Sequence, residues 1–270
     1  MTLSLMSTTI HTPQEPSASP QTDGKNLRDI HLRDKTASIL FFLICFIFLF
    51  TGCTRHSGVT FEGNITGADG RYLTISRTCA GETLFTDSVQ IRNGSFALTV
   101  PAGDDGPDFY RISLCKDNAF TTIASKRETV HIEADASSLV RTYRATGSPD
   151  AKRMCQLDQR LALFADSTDQ LSELYDYYRD NDSMRAVIES VYLEIRANHT
   201  TFLRDFIAQN SGSISCLAAF YQRYNQYRFF SEEENIQLLQ NICTTLKSQY
   251  PNNGNVIWLE ERLDKHPSRK

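Results

Sequence analysis

From Val59 to about Gly147, apolar and polar residues alternate in short runs, which is the period of half-buried β-strands. Runs at 60–65, 72–77, 84–91, 96–100, 110–114, 121–124, 129–134 and 142–146 are rich in β-branched and aromatic residues, the residue types that suit a pleated surface. Asp69-Gly70, Asn93-Gly94 and Asp105-Gly106-Pro107 punctuate them. Asn93-Gly94 predicts a hairpin, because both central positions of a type I′ turn need φ > 0. Short strands at this density predict a small antiparallel sandwich or barrel-like domain.

Beyond Ser148-Pro149 the period changes from 2 to 3.6. Leu157, Leu161, Phe164, Leu171, Leu174, Tyr175 and Tyr178 advance by threes and fours. Met184, Val187, Ile188, Val191, Tyr192, Ile195, Phe202, Leu203, Phe206 and Ile207 form a second stripe of the same kind, as expected of amphipathic helices. Ser231 with Glu234 predicts a capping box ahead of Ile236, Leu239, Ile242, Cys243 and Leu246. Tyr250-Pro251-Asn252-Asn253-Gly254 should end that helix, and 256–263 reads as a last short one. The fold class expected is therefore α+β, with a β-rich domain over 59–148 and an α-helical bundle over 149–270.

The front of the chain reads as an address rather than a fold. Residues 1–37 are polar, and Ile39 to Phe50 is an unbroken apolar run of twelve. As a helix that run would span roughly 18 Å, against ~30 Å of bilayer hydrocarbon. Arg33 and Lys35 precede it and Thr51-Gly52-Cys53 follows, the layout of a secretory signal with a small-residue exit. Phe50-Thr51-Gly52-Cys53 resembles a bacterial lipobox, with Phe50 where Leu is usual. The resemblance implies a leader over 1–52, lipid attached to Cys53, and a short tether over 53–58. Two or three acyl chains on one cysteine exceed the single chain that gives only marginal binding. The expected location is the cell envelope, anchored and facing the periplasm from the outer membrane.

Composition narrows the function less. The chain has 270 residues, 40% of them hydrophobic and 22% charged, with a net charge of -4. That suits a core-forming globular chain and lacks the basic surplus of a nucleic-acid binder. Divided at residue 150, the chain beyond the leader carries -2 on each side (10 minus 12, then 14 minus 16). At that division no charge asymmetry shows.

Candidate chemistry is sparse. No Gly-rich phosphate loop, H-E-x-x-H, G-x-S-x-G or C-x-x-C occurs, and no catalytic residue, metal ligand or cofactor is assigned. His199 falls in a helical stripe and reads as a core histidine, while His131 alternates within a strand and should face solvent. Beyond Cys53 lie Cys79, Cys115, Cys155, Cys216 and Cys243, an odd number that leaves one thiol unpaired within the chain. Cys79 and Cys115 share the β-rich region and are a candidate disulfide. Cys216 and Cys243 read as small buried hydrophobes. Glu232-Glu233-Glu234 reads as a first helical turn complementing the helix dipole. Tyr221, Tyr224, Tyr227 and Phe230 belong to a dense aromatic cluster that either packs between helices or lines a groove for a protein or peptide partner.

Phe61-Glu62-Gly63-Asn64-Ile65-Thr66-Gly67, followed by Asp87-Ser88-Val89-Gln90-Ile91-Arg92-Asn93-Gly94-Ser95-Phe96, resembles a β-rich domain of unknown function in Bacteroidetes envelope lipoproteins. In that family the domain precedes a helical segment and a thioredoxin-like domain of the peroxiredoxin and disulfide-reductase type. Phe206-Ile207-Ala208-Gln209-Asn210-Ser211-Gly212-Ser213 and Tyr250-Pro251-Asn252 are similar to segments of its helical part. The resemblance covers roughly 58–263 and does not include the redox domain. It implies a lipid-anchored, non-catalytic binding or interaction module with a periplasmic protein or peptide partner. The alternative it implies is an accessory or degenerate member of a thiol-disulfide oxidoreductase system.

Overall fold

The structure, a computed structural model, describes residues 58–265. The apolar run and Cys53 lie outside the described residues. Eight strands come first: β1 (Gly58–Thr66), β2 (Tyr72–Cys79), β3 (Glu82–Gln90), β4 (Ser95–Pro101), β5 (Asp108–Cys115), β6 (Asn118–Ala124), β7 (Thr129–Asp135) and β8 (Arg144–Thr146). A four-residue helix, α1 (Leu139–Thr142), interrupts the last connection. The strands form two four-stranded sheets, ordered β4-β1-β7-β8 and β3-β2-β5-β6, without closing into a barrel. Pairing is antiparallel except between β1 and β7, which run parallel with Phe61 opposite Val130.

The inner faces of the two sheets share one core. Phe61, Ile65, Leu73, Ile75, Tyr110, Ile112, Val130 and Ile132 are buried in it. Each strand contributes alternate residues, since successive side chains point to opposite faces. Across the core the rings of Phe61 and Tyr110 lie 5.0 Å apart.

One hairpin expectation needs correction. Asn93 and Gly94 have φ of 52° and 76°, so the turn chemistry is as predicted. The flanking strands nevertheless pair only at Arg92–Ser95 and then diverge, β3 onto β2 and β4 onto β1. The Ile65 N–H donates to the Gly94 carbonyl and the Ile91 N–H to the Arg71 carbonyl, so each side of the turn is claimed by a different sheet. The turn is a crossing between layers.

The helical region contains α2 (Pro149–Tyr177), α3 (Asp182–Gln209), α4 (Ser215–Phe220), α5 (Ile236–Gln249) and α6 (Gly254–Lys265). Ser148 caps α2 by accepting from Ala151 N, with Pro149 at the first helical position. Asn181 caps α3 in the same way through Met184 N. Ser231 Oγ accepts from Glu234 N at 3.2 Å, but regular helix starts only at Ile236. The capping box thus closes a turn ahead of α5. Glu232 does not act on a helix dipole there, because its carboxylate binds Arg262 of α6 through Nε at 2.8 and 2.9 Å.

Leu157, Leu203, Phe206, Phe220, Leu239, Leu246 and Leu259 centre a second core, and Ile123 of β6 is part of it. The α5–α6 corner also ties the helices to the β layers. Asn253 Nδ2 donates to the carbonyls of Pro107 (2.9 Å) and Asp105 (3.3 Å), and Asn255 Oδ1 accepts from Ala80 N (2.8 Å). Asn253 is 2% exposed. Asn253→Ala would strand the buried Pro107 carbonyl, so we expect a loss of about 2 kcal/mol, read as a lower urea midpoint with an unchanged slope.

Candidate functional site

Strand β8 is a sheet edge, and α2 lies beside it. Between them runs a groove of about 940 Å³ lined by Arg144, Thr146, Gly147, Lys152, Gln156 and Gln159, among others. Among the described residues no strand pairs with the outer side of β8. An open edge of this kind carries backbone donors and acceptors able to take another strand. The sequence places the helix here because Ser148-Pro149 ends the extended chain and starts α2 within one step.

Behind the groove sits a polar cluster. The ring of Tyr143 stacks on Phe120 with centroids 3.8 Å apart, and its hydroxyl donates to Asp158 Oδ2 at 2.8 Å. The Cys155 thiol donates to the Tyr143 carbonyl at 3.3 Å, and Gln159 Nε2 lies 2.9 Å from the sulfur. Burial pushes the Asp158 carboxyl up to about 7, opposed by the Tyr143 hydroxyl. Burial also raises the Cys155 thiol and the Tyr143 hydroxyl.

Asp158 should make stability depend on pH. Its folded pKa lies above the ~3.9 of a free aspartate, so the unfolded chain releases the proton first. Stability is therefore retained below about pH 4, falls by about 1.4 kcal/mol per unit as pH rises towards 7, and levels off above it. Asp158→Asn removes this titration while keeping an acceptor for Tyr143. Melting temperatures should match wild type near pH 4 and exceed it near pH 8. Parallel curves for the two proteins across that range would contradict this assignment.

Among the described residues no cysteine gives the cluster a redox partner. Cys79, Cys115, Cys155, Cys216 and Cys243 are all free thiols. The candidate pair Cys79–Cys115 is corrected by strand register. Thr78 lies opposite Phe109 and Thr74 opposite Ser113, so Cys79 is level with Asp108, at the far end of β5 from Cys115. That separation is about 23 Å along the strand at ~3.3 Å per residue, where a disulfide needs Cα atoms within about 7 Å. Burial raises Cys79 and Cys243 and pushes Cys216 up to about 12, which disfavours the nucleophilic thiolate. Among the described residues no three His, Cys, Asp or Glu side chains are grouped to hold a metal.

The aromatic residues pack rather than form one groove. Phe230 is 2% exposed and stacks on Phe220. Tyr221 meets Trp258 edge-on. Tyr224 meets Phe164 the same way, and its hydroxyl donates to Asp169 at 2.7 Å. Tyr227 alone of the four is exposed, at 72%, on the small hairpin of β9 (Arg223–Tyr224) and β10 (Tyr227–Arg228). These residues follow α4 in turns and a two-residue hairpin, so their rings point to different neighbours. His199 is a core histidine, as expected: Nε2 is 2.8 Å from Gln222 Oε1, and Phe229 packs 4.3 Å from its ring. His131 is half-exposed beside Glu62 at 3.0 Å.

The chain matches no family model, no curated protein and no solved structure. The geometry of the site therefore carries the functional argument. The β8–α2 groove was missed in the sequence, where the one available signal was Asp158, a carboxylate set among the apolar positions Met154, Leu157 and Leu161.

Proposed function

We propose that this protein is a lipid-anchored envelope protein acting as a non-catalytic binding module, and that it holds an extended polypeptide segment of a periplasmic partner. The groove between the open edge of β8 and α2 is the observation that carries the reading. Main-chain pairing along β8 would supply affinity, and side chains from α2 would select sequence. Arg144 and Lys152 line the groove without a carboxylate partner among the described residues, which favours acidic segments. Buried thiols with raised pKa support binding over redox chemistry. The lipobox-like Phe50-Thr51-Gly52-Cys53 supports the anchor.

Panning a random peptide library against the full-length lipoprotein in nanodiscs, with empty nanodiscs as counter-selection, tests the groove. Acidic, extended sequences should be enriched. Gln156→Trp should abolish that enrichment by filling the groove, and Lys152→Glu should remove the preference for acids. Enrichment that persists unchanged in both variants would place binding elsewhere.

A further inference from the structure

Helices α2 and α3 form an antiparallel hairpin whose outer half carries no further layer among the described residues. Past Asp169, the hydrogen bonds described for its side chains stay within it. Tyr175 OH donates to Glu189 at 3.0 Å, Arg185 donates to Tyr175 OH, and Asn181 accepts from Met184 N. The Arg185 guanidinium also sits 4.3 Å from the Tyr175 ring centre. This clasp fixes the tip of the arm.

One face of the arm is apolar and uncovered. A cleft of about 190 Å³ is lined by Leu163 and Ser167 of α2 together with Ile195 and Asn198 of α3, with Arg160 at its inner end, which sets those positions side by side. Helical spacing continues the same face to Leu174 on α2 and to Val191 and Val187 on α3. Leu163 is 59% exposed, Leu174 47%, Val187 55% and Val191 38%. The amphipathic stripes that hold Leu174, Val187 and Val191 are thus left open over their outer half, because no other described element reaches them.

The arm also concentrates negative charge. Residues 166–194 hold eight carboxylates and two arginines, a net -6, so the other residues together carry +2 (-4 minus -6). Asp166 pairs with Arg141, and Tyr175 takes Glu189. Among the described residues no ion pair reaches Glu173, Asp176, Asp180 or Glu194. Glu173 flanks Leu174, and Glu194 lies one turn beyond Val191.

We propose that this face of the α2–α3 hairpin docks a basic amphipathic helix of a partner protein. The partner's apolar residues would lie on the Leu163–Leu174 and Val187–Val191 stripe, and its Lys or Arg residues against Glu173 and Glu194. A second copy of this chain fits poorly, since pairing the arms would bring together two segments that each carry a net -6. The surface is separate from the β8–α2 groove, so the two readings fail independently.

The test uses the full-length lipoprotein in zwitterionic nanodiscs and two synthetic three-heptad helices, leucine at a and d, flanked by lysine in one and glutamate in the other. Binding is followed by fluorescence anisotropy, with empty nanodiscs subtracted. The lysine-flanked helix should bind at least about tenfold more tightly, and more weakly as salt rises. Val187→Asp with Val191→Asp should reduce its binding about tenfold, while the surface pair Glu173→Lys with Glu194→Lys should reverse the preference between the helices. Circular dichroism confirms that each variant is folded. Equal binding of both helices, no binding of either, or binding unchanged in both variant pairs overturns the proposal. So does self-association in sedimentation that Val191→Asp abolishes, which would assign the face to a second copy.

Discussion

Cys53→Ser should abolish incorporation of radiolabelled fatty acid and move the protein out of the membrane fraction or leave it as an uncleaved precursor. The expectation follows from the chemistry of the proposed anchor. A thioether to diacylglycerol needs the cysteine sulfur, and a serine oxygen cannot replace it. The apolar run from Ile39 to Phe50 is twelve residues, roughly 18 Å as a helix against ~30 Å of hydrocarbon, so it is a poor substitute for the lipid. Each buried methylene contributes about 0.8 kcal/mol, and two or three chains make attachment stable where one is marginal. No helix among the described residues is long and apolar enough to cross a membrane. A Cys53→Ser protein that still takes up label and still sediments with membranes would refute the anchor.

Gly63→Val should prevent accumulation of folded protein. Gly63 sits in β1 with φ of 148°, and a Cβ there would fall 1.8 Å from the backbone carbonyl oxygen of Ile132 on β7. Neither strand can yield, since β1 is hydrogen-bonded to β4 on one side and β7 on the other. The strain and the broken pairing together should exceed about 4 kcal/mol, a large share of the ~5–15 kcal/mol that keeps a domain folded. Gly70→Ala is the control. Its φ is 77° but nothing lies within 4 Å of the added Cβ, so only the left-handed backbone cost of about 1–2 kcal/mol applies. Pulse proteolysis should find Gly70→Ala folded and Gly63→Val degraded. Comparable resistance in the two variants would mean that the β1–β7 pairing adapts.

The local order of the fold was legible in the sequence. Strands β1 to β7 fall within about three residues of the alternating runs, because burial of one face forces a period of 2 whatever the partner strand is. The 3.6 period marked α2, α3, α5 and α6 for the same reason. Asn93-Gly94 gave its positive φ pair from residue chemistry alone. Each of these depends on residues a few positions apart.

Tertiary structure decided everything that depends on which distant residues meet. The Asn93-Gly94 turn joins two sheets because β3 and β4 find better partners in β2 and β1. Cys79 and Cys115 are kept apart by the register of β2 on β5. Tyr221, Tyr224 and Phe230 became packing residues because Trp258, Phe164 and Phe220 fold against them. Dividing the charge at residue 150 hid the acidic arm, whose limits are set by where α2 and α3 leave the other elements. Asp158 acquires its raised pKa from burial, against the lowering effect of the Tyr143 hydroxyl, and the β8–α2 groove exists only because the sheet ends beside a helix. A hydrophobic period determines which side of an element seeks cover. Only the assembled chain determines what covers it, and at Leu174, Val187 and Val191 nothing in the described chain does.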